Sequence, residues 1–136
     1  MRTFPLSTAP RAVTALLAPA RRVTLYGPGA SSLSLRFAAE AACERSTVTY
    51  ICGDNRFDPY AIARLARQFR QRREDVLARI LVARAFTCFQ LGELIERIRP
   101  ADVPGPVIIS GICAAFLDED LSHKDRKSTR LNSSHS

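Results

Sequence analysis

The sequence predicts an α/β fold, a three-layer αβα arrangement around a mostly parallel sheet. Four segments rich in β-branched and other apolar residues, 22–27, 46–53, 80–87 and 106–116, alternate with segments of helical period. Parallel strands need crossover connections, and helices in those crossovers cover both sheet faces. The chain of 136 residues is 46% hydrophobic and 24% charged, which suits one domain and excludes a disordered or fibrous polypeptide.

Each element follows from its residues. RVTLYG, 22–27, reads as a buried strand that enters a tight turn at Gly27-Pro28-Gly29. Ser31 and Ser32 are placed to cap a helix in which Leu33, Phe37 and Ala41 recur at helical spacing. Ala38, Ala39 and Ala42 give that helix a narrow surface for close packing on a sheet. STVTYICG, 46–53, is a second strand, and Asp58-Pro59 opens a second helix with Ile62, Leu65 and Phe69 as its inner stripe. Glu74 or Asp75 starts a short turn through Leu77. ILVARAFT, 80–87, is a third strand, Phe89 to Arg99 a third helix stopped by Pro100, and PVIISGICAAF, 106–116, a fourth strand.

The formal charge of +7 hides an asymmetry: residues 1–123 contain sixteen Arg, no Lys and twelve acids, a net charge of +4. Lys124 and Lys127 belong to a polar tail, 124–136, that resembles translated sequencing-adapter DNA and is set aside as non-native. Residues 1–20 read as a lead-in, poorly ordered or with a short helix at 10–18, and 21–123 as one partial domain. Cys43, Cys52, Cys88 and Cys113 lie far apart without a CxxC pair, as expected of reduced, structural cysteines in a cytoplasmic protein. No apolar run approaches the roughly 18 residues of a membrane span.

Strand, glycine-rich turn and helix at 23–37 form the setting of a phosphate-binding loop, since backbone N–H groups at a helix N-terminus attract anions. Against G-x-x-x-x-G-K-[ST], the segment Gly27-Pro28-Gly29-Ala30-Ser31-Ser32-Leu33-Ser34 keeps the first Gly and the final Ser. Ser32 replaces the second Gly, and Leu33 replaces the lysine whose charge sits on the outer phosphates.

YICGDNRFDPY, 50–60, followed by ILVARAFTCFQL, 80–91, resembles the ATPase core of RecA-like strand-exchange recombinases, especially the archaeal and eukaryotic branch. The matched steps are Asp54, Phe57 with Pro59, Val82-Ala83-Arg84-Ala85-Phe86, and Gln90. The resemblance runs from Arg22 to about Asp120 and implies an incomplete, C-terminally truncated RecA-like P-loop core, with the family's DNA-binding loops beyond it. It implies ATP and Mg as cofactors: Ser34 as the magnesium-binding hydroxyl, Asp54 in place of the catalytic glutamate, and Ser110 in place of the Walker B aspartate. It also implies partners such as DNA, DNA-repair proteins, or a homo- or hetero-oligomer of RecA-like subunits.

The expected function is a degenerate RecA-like protein of DNA recombination or repair, a nucleotide-binding or structural partner with impaired ATP hydrolysis. The alternatives are an active variant DNA-dependent ATPase and a P-loop-like scaffold unrelated to DNA. Blander roles accompany each residue. Gly27-Pro28-Gly29 can simply make a strand-to-helix turn, and Asp54 can cap a turn through Asn55. Arg84 suits a buried ion pair or an edge position as well as a nucleotide or subunit contact. Arg64, Arg67, Arg70, Arg72 and Arg73 read as a solvated helix face in preference to a DNA contact. Asp118-Glu119-Asp120 reads as an exposed loop in preference to a displaced metal carboxylate.

Overall fold

The structure, a computed structural model, describes residues 2–5, 22–115 and 117. In chain order it comprises β1 (Arg2–Pro5), β2 (Val23–Tyr26), α1 (Ala30–Cys43), β3 (Val48–Cys52), α2 (Pro59–Gln68), α3 (Arg73–Ala78), β4 (Ile80–Arg84), α4 (Cys88–Arg97), a 3-10 turn (Pro100–Asp102) and β5 (Val107–Ser110). The mixed α/β character is as the alternation predicts.

Three strands form a parallel sheet in the order β4-β3-β5, with Tyr50 opposite both Val82 and Ile108. Successive strand side chains point to opposite faces, and each face has its own core. Val48, Tyr50, Cys52, Ile80 and Ile108 pack with Leu35, Ala38, Ala39 and Ala42 of α1, Ile62 and Ala66 of α2, and Val76 of α3. On the other face Ile51 packs with Ala85, Leu91 of α4 and Ala115, flanked by Leu94, Ile98 and Ile109. Full burial of one such aliphatic side chain stabilises the fold by about 1.5–3 kcal/mol. Helices thus lie on both faces of this sheet.

Several expectations are corrected. Alternation places β2 in the same sheet as the later strands, but it is not hydrogen-bonded to them. It instead pairs in parallel with β1, Val23 opposite Arg2 through Tyr26 opposite Pro5. Nothing in the sequence 2–5 marks a strand; a neighbouring edge supplies the partners. The expected helix at 10–18, the loop at 118–120 and the tail at 124–136 fall outside the described residues. The apolar run 106–116 predicts one long strand, but β5 stops at Ser110, where Gly111 adopts φ 70° and residues 112–115 turn helical. β4 stops at Arg84 because Thr87 is needed elsewhere: its Oγ1 accepts from Gln90 N–H and caps α4. Gln90 Oε1 in turn accepts from Phe86 N–H (2.8 Å).

The other helix starts differ from each other. Asp58 Oδ1 accepts from Tyr60 N–H (2.9 Å) and Pro59 occupies the first turn of α2, as Asp58-Pro59 predicts. α1 begins at Ala30, before Ser31 and Ser32 can cap it; Gly29 is its N-cap at φ 84°, with no side-chain cap. Of the inner stripe expected on α2, Ile62 is buried and Leu65 packs against the core, whereas Phe69 closes the helix with its ring partly exposed. No helix among the described residues is long and apolar enough to cross a membrane.

Candidate functional site

The C-terminal ends of parallel strands and the N-terminus of a following helix are where an α/β sheet offers a ligand site. Here the first turns of α1, the loop after β3 and the end of β5 supply Ser34, Asp54 and Ser110. Gly27 and Gly29 adopt φ 105° and 84°, a left-handed region that Cβ-bearing residues avoid. Their turn is closed by Ala30 N–H to Gly27 C=O (3.2 Å) and leads into Leu33 N–H to Gly29 C=O (3.0 Å). Pro28, Ala30, Ser31, Ser32 and Leu33 therefore lie in the turn and first helical residues, and Ser34 follows within α1. The Ser34 hydroxyl donates to Ala30 C=O (2.9 Å), which commits its proton to the helix and leaves its lone pairs available.

Asp54 is held against the end of β5. Gly53 N–H donates to Ser110 C=O (2.8 Å). A Cβ on Gly111 would stand 2.4 Å from Asp54 Cβ, so only glycine leaves room for this carboxylate. Asp54 Oδ1 accepts from Cys52 Sγ and from Arg56 N–H, both at 3.2 Å. The bond to Arg56 N–H closes a local turn, in which Asn55 has φ 56°. Asn55 Oδ1 accepts from Arg84 Nη1 across to β4. Arg84 itself is exposed at the end of an edge strand, not in a buried ion pair.

The residue that joins these parts is Tyr50, only 1% exposed in the middle of β3. Burial pushes its phenol pKa up; the Ser110 and Ser34 hydroxyls, as hydrogen-bonding neighbours, act the other way, while Cys52 and Asp54 reinforce the rise. Phe57 packs its ring on Tyr50, centroids 5.1 Å apart and tilted by 59°. The two hydroxyls assigned to metal by resemblance are thus both neighbours of one buried phenol. In the sequence the signal for Tyr50 is a phenol in the most apolar strand, where a buried hydroxyl needs a partner.

Mg2+ is held by one or two carboxylates with phosphate and water oxygens; among the described residues the site brings one carboxylate, Asp54, whose Oδ1 already accepts two hydrogen bonds, beside the neutral hydroxyls of Ser34 and Ser110. Among the described residues no group of three His, Cys, Asp or Glu side chains could hold a metal. The cysteines are free thiols; Cys43 and Cys52 are buried, and burial pushes the Cys43 thiol pKa up. Comparison with family models and with curated proteins yields no match.

Proposed function

We propose that this chain is a degenerate RecA-like protein of DNA recombination or repair, which holds a nucleotide or supports a partner subunit without ordinary ATP hydrolysis. One observation carries the reading. Ser34 and Ser110, from distant segments, are neighbours of the buried Tyr50 phenol, and Asp54 lies against Gly111 at the end of β5. The turn Gly27–Gly29 and the N-terminus of α1 offer backbone donors to a phosphate. The charges that phosphoryl transfer requires are missing from the loop: Leu33 stands where the lysine would be, and a neutral hydroxyl, Ser110, where the second carboxylate would be. Binding by backbone dipoles can survive such losses, whereas stabilisation of the transferring phosphoryl group cannot.

Titration of the full chain with a fluorescent ATP analogue, with and without magnesium, alongside a phosphate-release assay, tests this. Binding without strong magnesium dependence and without turnover is expected. Turnover abolished by Asp54→Asn would instead establish an active variant ATPase.

A further inference from the structure

The turn between α2 and α3 is held from several sides. Arg70, just past the end of α2, takes φ 55°, a left-handed conformation that strains any residue with a Cβ. Arg70 N–H donates to Arg67 C=O (3.0 Å) and Gln71 N–H to Ala66 C=O (2.9 Å), which closes the helix in the manner usually given to glycine. Gln71 Nε2 then donates to Cys43 C=O (2.7 Å), and Arg79 Nη1 to Ala42 C=O (2.9 Å). The turn and the far end of α3 are thereby fastened to the C-terminal end of α1.

This anchored turn and α2 together line a groove of about 590 Å³. Tyr60, Arg64 and Arg67 recur at i, i+4 and i+7, one stripe of α2, and Arg70, Arg72 and Arg73 continue the lining. Arg64 stands 3.9 Å from Asp58, while Arg73 and Arg72 approach Glu74 at 3.1 and 3.9 Å. Among the described residues no carboxylate pairs with Arg67 or Arg70, which lie in sequence between those pairs. Positive charge is therefore uncompensated over a short stretch, with an acid on either side of it.

We propose that this groove docks an acidic peptide segment of a partner protein, its carboxylates held by Arg67 and Arg70 and an aromatic side chain laid on the exposed Tyr60 ring. Planar guanidinium forks match carboxylate oxygens two at a time, and arginine clusters read short acidic motifs in this way. The shortness of the unpaired stretch selects a few carboxylates: a continuous polyphosphate would carry its charge past Asp58 and Glu74, which repel it. Tyr60 and Arg67 are about 10 Å apart along α2, which an extended peptide spans in about three residues. A turn already fixed by Gln71 loses little freedom when a peptide docks. The proposal is independent of the nucleotide reading, because the groove includes none of Ser34, Asp54 or Ser110.

Fluorescence anisotropy tests it, with the full chain and a labelled peptide carrying one tryptophan three residues before a run of four glutamates. Salt of about 150 mM screens non-specific attraction beyond about 8 Å. The probe is expected to bind, and the same peptide with glutamine for glutamate to bind at least about tenfold more weakly. Arg67→Lys with Arg70→Lys keeps the charge but removes the forks, and is expected to weaken binding about fivefold. Gln71→Ala removes no charge and is expected to weaken it about threefold by releasing the turn. Tyr60→Ala is expected to weaken binding about three- to tenfold, and Tyr60→Phe to restore it. An unchanged circular dichroism spectrum verifies the fold of each variant. Full affinity in the double lysine variant would mean that net charge alone is read, and would overturn the proposal. So would equal affinity for the glutamine peptide, or tighter binding of an oligothymidylate of the same charge as the probe.

Discussion

The sheet end around Tyr50 and the groove beside α2 are opposites. The first is buried, gathered from distant segments and rich in hydroxyls; the second is exposed, nearly contiguous in sequence and rich in arginine. Charge among the described residues is concentrated where water solvates it cheaply, while the sheet end offers mostly neutral hydrogen-bonding groups. A buried centre that does not stabilise charge is suited to holding and positioning. An exposed arginine groove is suited to contact with a polyanion, at little cost to the fold. Substitutions should therefore separate the two regions: those at the sheet end should act on stability, those in the groove on binding.

The largest expected effect is at Gly111. Alanine there combines a φ of 70° with a Cβ 2.4 Å from Asp54 Cβ, and should destabilise by about 2–4 kcal/mol, read from the urea midpoint. A loss below 1 kcal/mol would mean that Asp54 is not held against β5.

Tyr50→Phe should cost about 1–2 kcal/mol, because it removes a buried phenol from its Ser110 and Ser34 neighbours. The same residue sets a pH dependence. Its folded pKa is raised above the ordinary 10.0, so its contribution is fully present below pH 10 and lost as pH rises through the folded value. Cys43 behaves likewise from its ordinary 9.0. Stability should therefore decline above about pH 9, with Cys43→Ala removing the lower step and Tyr50→Phe the upper, as read by thermal melts across pH 7 to 11. A stability profile flat to pH 11 would contradict this assignment.

Smaller effects are expected around the groove. Asp58→Ala removes the cap on Tyr60 N–H and should cost about 1 kcal/mol. Arg70→Gly should stabilise by up to about 1 kcal/mol, since glycine accepts φ 55° without strain, while weakening acidic-peptide binding. Gain in one property with loss in the other would be the clearest sign that this conformation serves contact rather than folding. Arg67→Ala should leave stability within about 0.5 kcal/mol.

Much of the local structure was legible because it depends on near neighbours. Asp58-Pro59 marks the start of α2, and the Gly-Pro-Gly turn marks the exit from β2; each works through its own backbone. Strand lengths were less legible. The run 106–116 is uniformly apolar, and hydrophobicity alone does not reveal that Gly111 takes a left-handed φ and ends β5. Thr87, β-branched and therefore strand-like in sequence, is drawn out of β4 by the unsatisfied N–H groups of α4. Of the candidate site, Ser34, Asp54 and Ser110 could be named from resemblance to a motif. Tyr50 could not, because its importance lies in contacts with residues far along the chain.

By itself the sequence determined the alternation of strands and helices, the excess of arginine and the absence of lysine from residues 1–123. These depend on residue identity and short-range periodicity. Tertiary structure decided that β2 pairs with β1 and not with the β4-β3-β5 sheet, that Ser34 and Ser110 both become neighbours of Tyr50, and that the turn at Arg70 brings five arginines around one groove. Each of these is a matter of which distant groups become neighbours, and that is set by competition for sheet edges and buried volume across the whole chain.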